Sequence, residues 1–159
     1  MPWREWVSHI RALQSLLTFF SLSISPVAIG AVTIAVAGPL SGPYAAFGEQ
    51  LKLGASQAVE DLNAAGGSYD ILFYDDACEP KQAVAVANRI VDETDVAGVV
   101  GHFCSSSTIP ASFIYADMDM VMITPASTNP KVTERSFPTI FRMCGRDDQQ
   151  GVVAAQFIA

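Results

Sequence analysis

The sequence predicts an α/β fold, a doubly wound parallel sheet of Rossmann-like type, and three observations carry that prediction. Short apolar runs alternate with longer stretches of helical periodicity, Gly, Pro, Ser and Asp punctuate the junctions, and no repeat or low-complexity tract interrupts the pattern. Strands that alternate with helices of ten or more residues must pair in parallel through right-handed crossovers. With 159 residues, half of them apolar, the chain can build one ordinary core.

The first thirty residues stand apart from that pattern. Arg4 and Arg11 precede or flank an apolar run from Leu13 to Ile24, and Ala28, Ile29 and Gly30 then supply the small residues of a signal-peptidase site. The run falls short of the roughly 20 apolar residues of a spanning helix, and Ser21, Ser23, Ser25 and Pro26 break it. Residues 1–30 are therefore read as an export signal, although Glu5, Trp3 and Trp6 are atypical of one. The mature chain is expected at 31–159. Removing Arg4, Arg11 and Glu5 from nine basic and sixteen acidic residues leaves seven and fifteen, a formal charge of −8.

Val32–Ala37, closed by Gly38-Pro39, suits a strand buried on both faces. After a Gly/Pro/Ser loop, Leu51, Ala55, Ala58, Val59 and Leu62 mark one face of a helix that Gly66-Gly67 stops. Ile71–Tyr74 is the next strand. Pro80 opens a helix with Ala83, Val86, Ala87, Ile90 and Val91 on its apolar face. Val96–Gly101 is the third strand, and a third helix is expected around Ile109–Met118, with Pro110 confined to its first turn. Met120–Ile123 and a weaker Thr139–Arg142 complete the strands, and a last helix runs from about Gln149 to Ala159. A helix that stops with the sequence has no C-cap, which reads as a truncated chain.

Doubly wound sheets bind ligands at the carboxyl ends of their strands, here the loops Gly38–Glu49, Asp75–Glu79, His102–Thr108, Thr124–Pro130 and Cys144–Asp148. The third of these gathers hydroxyls and free N–H groups at a helix start, a place for a carboxylate, unless one serine simply caps the helix. The fourth adds hydroxyls and carbonyls, so donors for a carboxylate and acceptors for an ammonium lie side by side. Nine scattered basic residues exclude a nucleic-acid surface, and no Walker or dinucleotide glycine pattern is present.

Enzyme readings are weak. Cys104 near His102 offers a thiol and a base without an orienting third group, Asp75-Asp76 reads as a turn pair, and no Cys/His set has zinc spacing, so neither metal nor cofactor is expected. In an exported chain Cys78 and Cys104, in loops at the same sheet edge, can oxidise, which would stabilise by about 3.5 kcal/mol in the chain-entropy model. Cys144 is left over as a small hydrophobe.

Several motifs, in order, carry a resemblance: Gly38–Pro43, Tyr74–Cys78, Pro80–Asn88, Gly101–Thr108 and Ile123–Ala126. Over essentially all of 31–159 the chain resembles the leucine/isoleucine/valine-binding proteins of ABC importers. The resemblance implies the N-terminal lobe of a two-lobed periplasmic clamshell of type I. Such a protein holds leucine, isoleucine, valine or a similar amino acid and delivers it to an ABC permease in the inner membrane. By matching motifs, Ser105 would hold the ligand carboxylate, Ala126 and Thr128 would contact carboxylate and ammonium, and Phe47 would pack on the ligand side chain. Cys78 and Cys104 occupy the family's disulfide positions. Three departures stand out: a shorter link at Gly67–Asp70, an extra hydroxyl at Ser127 expected to shift preference from purely aliphatic ligands, and no second lobe with its ammonium-binding acid. The competing readings are a sensor domain of the same fold for an amide or other small polar ligand, and a small hydrolase using Cys104.

Overall fold

The structure, a computed structural model, describes residues 30–158, so the expected leader lies outside the described residues apart from Gly30. Five strands form one sheet in the order β2-β1-β3-β4-β5, with every neighbouring pair parallel. They are β1 (Val32–Gly38), β2 (Tyr69–Asp75), β3 (Val96–Gly101), β4 (Met122–Thr124) and β5 (Ile140–Arg142). The helices are α1 (Ala45–Ala64), α2 (Pro80–Asp92), α3 (Ser105–Asp117) and α4 (Asp147–Ile158), with 3-10 turns at Gly42–Tyr44 and Pro130–Val132. The α/β class and parallel sheet expected from the sequence are present.

The two faces of the sheet follow the alternation of its strands. Ala35 and Ala37 of β1, Tyr74 of β2, Val99 of β3, Met122 of β4 and Ile140 of β5 meet Ala83, Ala87 and Ile90 of α2 and Ala111 and Tyr115 of α3 in one buried cluster. Alanines on both sides let these helices close tightly on the strands. On the other face Ile34, Val36, Ile71 and Val100 look toward Leu51, Ala55, Ala58, Val59 and Leu62 of α1 across an apolar groove of about 600 Å³.

Several boundaries differ from the expectation, and four of them have a clear local reason. Helix α1 starts six residues before Leu51 because Gly48 is a contact glycine, not a loop signal: a Cβ there would lie 2.0 Å from the Pro39 carbonyl oxygen. Helix α3 starts at Ser105, where the Cys104 carbonyl accepts from Ser107 N–H at 3.0 Å and Thr108 N–H at 2.9 Å. Pro110 therefore sits in the second turn, and the bond it denies falls on the carbonyl of Ser106, an exposed residue open to water. Strand β4 starts at Met122, because Met120 N–H instead donates to the Tyr115 carbonyl and closes α3. Helix α4 begins at Asp147, whose charge and that of Asp148 favour a helix start.

The short Gly67–Asp70 link leaves the sheet edge regular. Gly67 N–H donates to Leu62 O, the Asn63 side chain both accepts from Tyr69 N–H and donates to its carbonyl, and Tyr69 pairs with Val32.

Candidate functional site

Strand β1 has β2 on one side and β3 on the other, so successive crossovers leave it in opposite directions and open a crevice at the carboxyl ends of β1 and β3. Gly101 ends β3 there with φ +141°, and a Cβ on it would lie 2.1 Å from Ala37 O. Only glycine lets the two strands run out side by side.

The loop after β1 is clamped from β2. Asp75 Oδ1 accepts from Leu40 N–H (2.9 Å), Ser41 N–H (3.2 Å) and Ala77 N–H (2.9 Å), and Oδ2 accepts from the Ser41 hydroxyl at 2.5 Å. Partial burial alone would raise the Asp75 pKa, but the Ser41 hydroxyl and the N–H groups of Ala77, Ser41 and Leu40 outweigh it and hold the carboxyl below its ordinary value. Asp75 and Asp76 together shape the next turn, because Asp76 Oδ1 takes Cys78 N–H at 2.8 Å while Ala77 and Cys78 adopt φ +49° and +58°. That turn brings Cys78 to Cys104, and the two are disulfide-bonded across Cα atoms 5.4 Å apart.

Ser105 opens α3, and no side chain caps that helix, so the serine-cap reading of the third loop does not hold. The Ser105 hydroxyl accepts from Asn129 N–H at 3.3 Å, which sets it beside Thr128 in the fourth loop. Ala126 and Phe47 line the same apolar groove, together with Phe103 and Pro125. The Phe47 ring, 46% exposed, stacks on Phe103 with centroids 5.2 Å apart. The fold thus brings hydroxyls and a helix start together after β3 and β4, and stacks Phe103, two residues before Ser105, on Phe47.

Ser127 plays a different part from the one expected of it. Its hydroxyl is buried, donates to Phe103 O at 2.9 Å and His102 O at 3.3 Å, and meets the Thr108 hydroxyl at 2.6 Å. A hydroxyl tied inward at three places has no freedom to meet a ligand. Arg142 on β5 fixes the same loop from behind, donating to Ser127 O (3.0 Å), Asn129 O (2.9 Å) and the Thr133 hydroxyl (2.5 Å). It therefore grips the carbonyls on both sides of Thr128.

Reasoning from sequence missed the buried set Asp76, His102 and Tyr115. His102 Nδ1 lies 2.5 Å from Asp76 Oδ2 and its Nε2 lies 3.0 Å from the Tyr115 hydroxyl, and all three residues are fully buried. Burial first, then the charge of Asp76 and the neighbouring Tyr74, pushes the Tyr115 pKa well above its usual range, so the hydroxyl keeps its proton. The only sequence signal is a His and an Asp each placed just beyond a strand end. The thiol-and-base pair is gone, since the Cys104 sulfur is bound to Cys78 and the His102 ring faces Asp76 and Tyr115. Cys144 is a free, half-buried thiol. Among the described residues no three His, Cys, Asp or Glu side chains are grouped to hold a metal.

Residues 31–159 match the family model described as "Periplasmic binding protein". An amino acid binding protein of Pseudomonas aeruginosa is 60% identical over 86% of this chain and 38% of its own length. A leucine-, isoleucine-, valine-, threonine- and alanine-binding protein of the same organism is 46% identical over 96% of this chain and 41% of its own. A solved ABC transporter substrate-binding protein from Desulfitobacterium hafniense, in complex with Leu, superposes with a TM-score of 0.70 at 30% identity, covering 80% of this chain and 38% of that one. The chain spans about two fifths of the length of these relatives. A family match over residues 31–159, a parallel sheet in the order β2-β1-β3-β4-β5 and shared identity along nearly all of that span place this chain in the periplasmic binding protein family.

Proposed function

We propose that this chain forms a ligand-holding lobe of an ABC-importer binding protein, taking leucine, isoleucine, valine or a similar amino acid in the periplasm for delivery to an inner-membrane permease. The observation that carries the reading is a helix start beside a pair of stacked rings. The uncapped start of α3 at Ser105 adjoins Thr128, while Phe47 and Phe103 stack a few residues away. A zwitterion with an aliphatic side chain matches both features. N–H groups and the Ser105 hydroxyl suit the carboxylate, Ala126 and Thr128 offer a carbonyl and a hydroxyl, and the rings suit the side chain. Binding without chemistry fits the same geometry, because the site has no thiolate and its histidine is buried away from the crevice. The names of the relatives, which include leucine-, isoleucine- and valine-binding proteins, support the ligand class.

The test is an NMR titration of the oxidised chain with leucine, isoleucine and valine. Amide signals of Phe47, Ser105, Ala126 and Thr128 are expected to move together, and Ser105→Ala and Thr128→Ala each to weaken binding by about 1 kcal/mol, the net worth of a hydrogen bond that competes with water. No movement of these signals up to roughly 50 mM ligand, where even a millimolar site is filled, overturns the reading.

A further inference from the structure

His102 is enclosed on every side and touches no part of the crevice surface, yet it joins more of the site than any residue that does. Its ring reaches Asp76, just past β2, and Tyr115, in the last turns of α3. Its carbonyl accepts the hydroxyls of Thr108 on α3 (3.1 Å), Thr124 at the end of β4 (2.6 Å) and Ser127 in the fourth loop (3.3 Å). Thr124 Oγ1 in turn accepts from Ser127 N–H at 3.1 Å, and Ser127 meets Thr108 at 2.6 Å. The segments that carry Ser105, Ala126 and Thr128 are thus fastened to one another through residue 102 and not by direct contact alone.

Chemistry assigns the protons. A carboxylate at Asp76 only accepts, so Nδ1 donates to it; a neutral ring has no second proton, so Nε2 accepts from the Tyr115 hydroxyl. Each ring nitrogen has one partner of the right kind, which makes the buried polar set affordable in a dry interior. Ring and carbonyl share one Cα, so a ring anchored at both nitrogens restrains where that Cα lies, while the three hydroxyls hold the carbonyl beyond it.

We propose that His102, held as the Nδ1–H tautomer between Asp76 and Tyr115, is a positioning residue for ligand binding, fixing the spacing between the Ser105 helix start and the Ala126–Thr128 loop. The proposal rests on the amino-acid reading above for its ligand, though not for its geometry. Hydrogen-bond recognition of a carboxylate fails with misplacement of a fraction of an ångström, so loss of the donor to Asp76 at the Nδ1 position is expected to weaken leucine binding about tenfold or more.

The experiment compares the oxidised full chain with His102→Asn, His102→Gln and His102→Leu. Asn sets its N–H₂ group where Nδ1 stood and can still donate to Asp76; Gln sets its amide where Nε2 stood and cannot. In the unsubstituted chain the ring ¹⁵N signals are expected to report a protonated Nδ1 and an unprotonated, hydrogen-bonded Nε2. His102→Asn is expected to keep the Ser105, Ala126 and Thr128 amide shifts and to bind leucine within about threefold, whereas His102→Gln shifts those amides and loses about tenfold. His102→Leu should behave as Gln or worse; if it does not fold, the Asn and Gln pair decides. An unprotonated Nδ1, or Asn and Gln variants with the same amide shifts, overturns the proposal. If the unsubstituted chain ignores leucine while the Asn and Gln amides still diverge, the positioning role stands and the ligand assignment is what fails.

Discussion

A single carboxylate decides where the first loop lies. Asp75 accepts four hydrogen bonds, three of them from Leu40 and Ser41, and so ties the loop after β1 to the end of β2. Its pKa in the folded chain lies below the unfolded value, so its contribution to stability is complete above about pH 4 and is lost as pH falls through the folded value. Melting temperatures of the native chain and Asp75→Asn are expected to differ near neutral pH and to converge in strong acid. A gap that persists at pH 2 would contradict the ionic origin. Arg142 invites a second substitution at this scale. Lys cannot reproduce a guanidinium that reaches two carbonyls and a hydroxyl at once, so Arg142→Lys should speed hydrogen exchange at Thr128 and Asn129 while the amides of α2 stay protected. Such side-chain roles were the least legible part of the sequence. Ser127 reads as one more hydroxyl in a polar loop until three buried partners claim it, and Asp76 and His102 lie 26 residues apart with nothing local to link them.

The elements were readable where apolar periodicity ran unbroken and obscure where tertiary contact overrode a local signal. Val96–Gly101 and the helix opened by Pro80 fall where the pattern places them. Gly48, expected in a loop, and Pro110, expected in a first turn, lie further inside their helices, the first because α1 crosses the Pro39 carbonyl, the second because an exposed residue carries the missing bond. The Gly48 contact can be tested directly. A methyl group 2.0 Å from a backbone oxygen forces α1 away from the loop, so Gly48→Ala is expected to destabilise the chain by roughly 1–3 kcal/mol in urea titration, despite the higher helix propensity of alanine. The disulfide joins two elements in the same way. Closing a span of 26 residues stabilises by about 3.5 kcal/mol in the chain-entropy model, and reduction should lower the urea midpoint accordingly. Alkylation of the oxidised chain before reduction should add one label, at Cys144.

At the scale of the whole molecule, the described residues supply one wall of the crevice. Phe47 is 46% exposed and the crevice opens to water, so each hydrogen bond to a ligand competes with an equivalent one to solvent and is worth only about 1 kcal/mol. Calorimetry of this chain with leucine is expected to give a dissociation constant in the millimolar range, about −4 kcal/mol; micromolar binding would mean that the side chain is buried far better than the exposed rings allow. The order β2-β1-β3-β4-β5 has a further consequence, for a polypeptide made and threaded from its N-terminus. Strand β2 joins β1, β3 joins the free edge of β1, β4 joins β3 and β5 joins β4, so every new strand finds its neighbour already synthesised. No strand must wait for a later one to fill a gap in the sheet. Assembly can therefore keep pace with emergence, and the growing sheet has one standing edge, at β2, and one moving edge that each next strand covers.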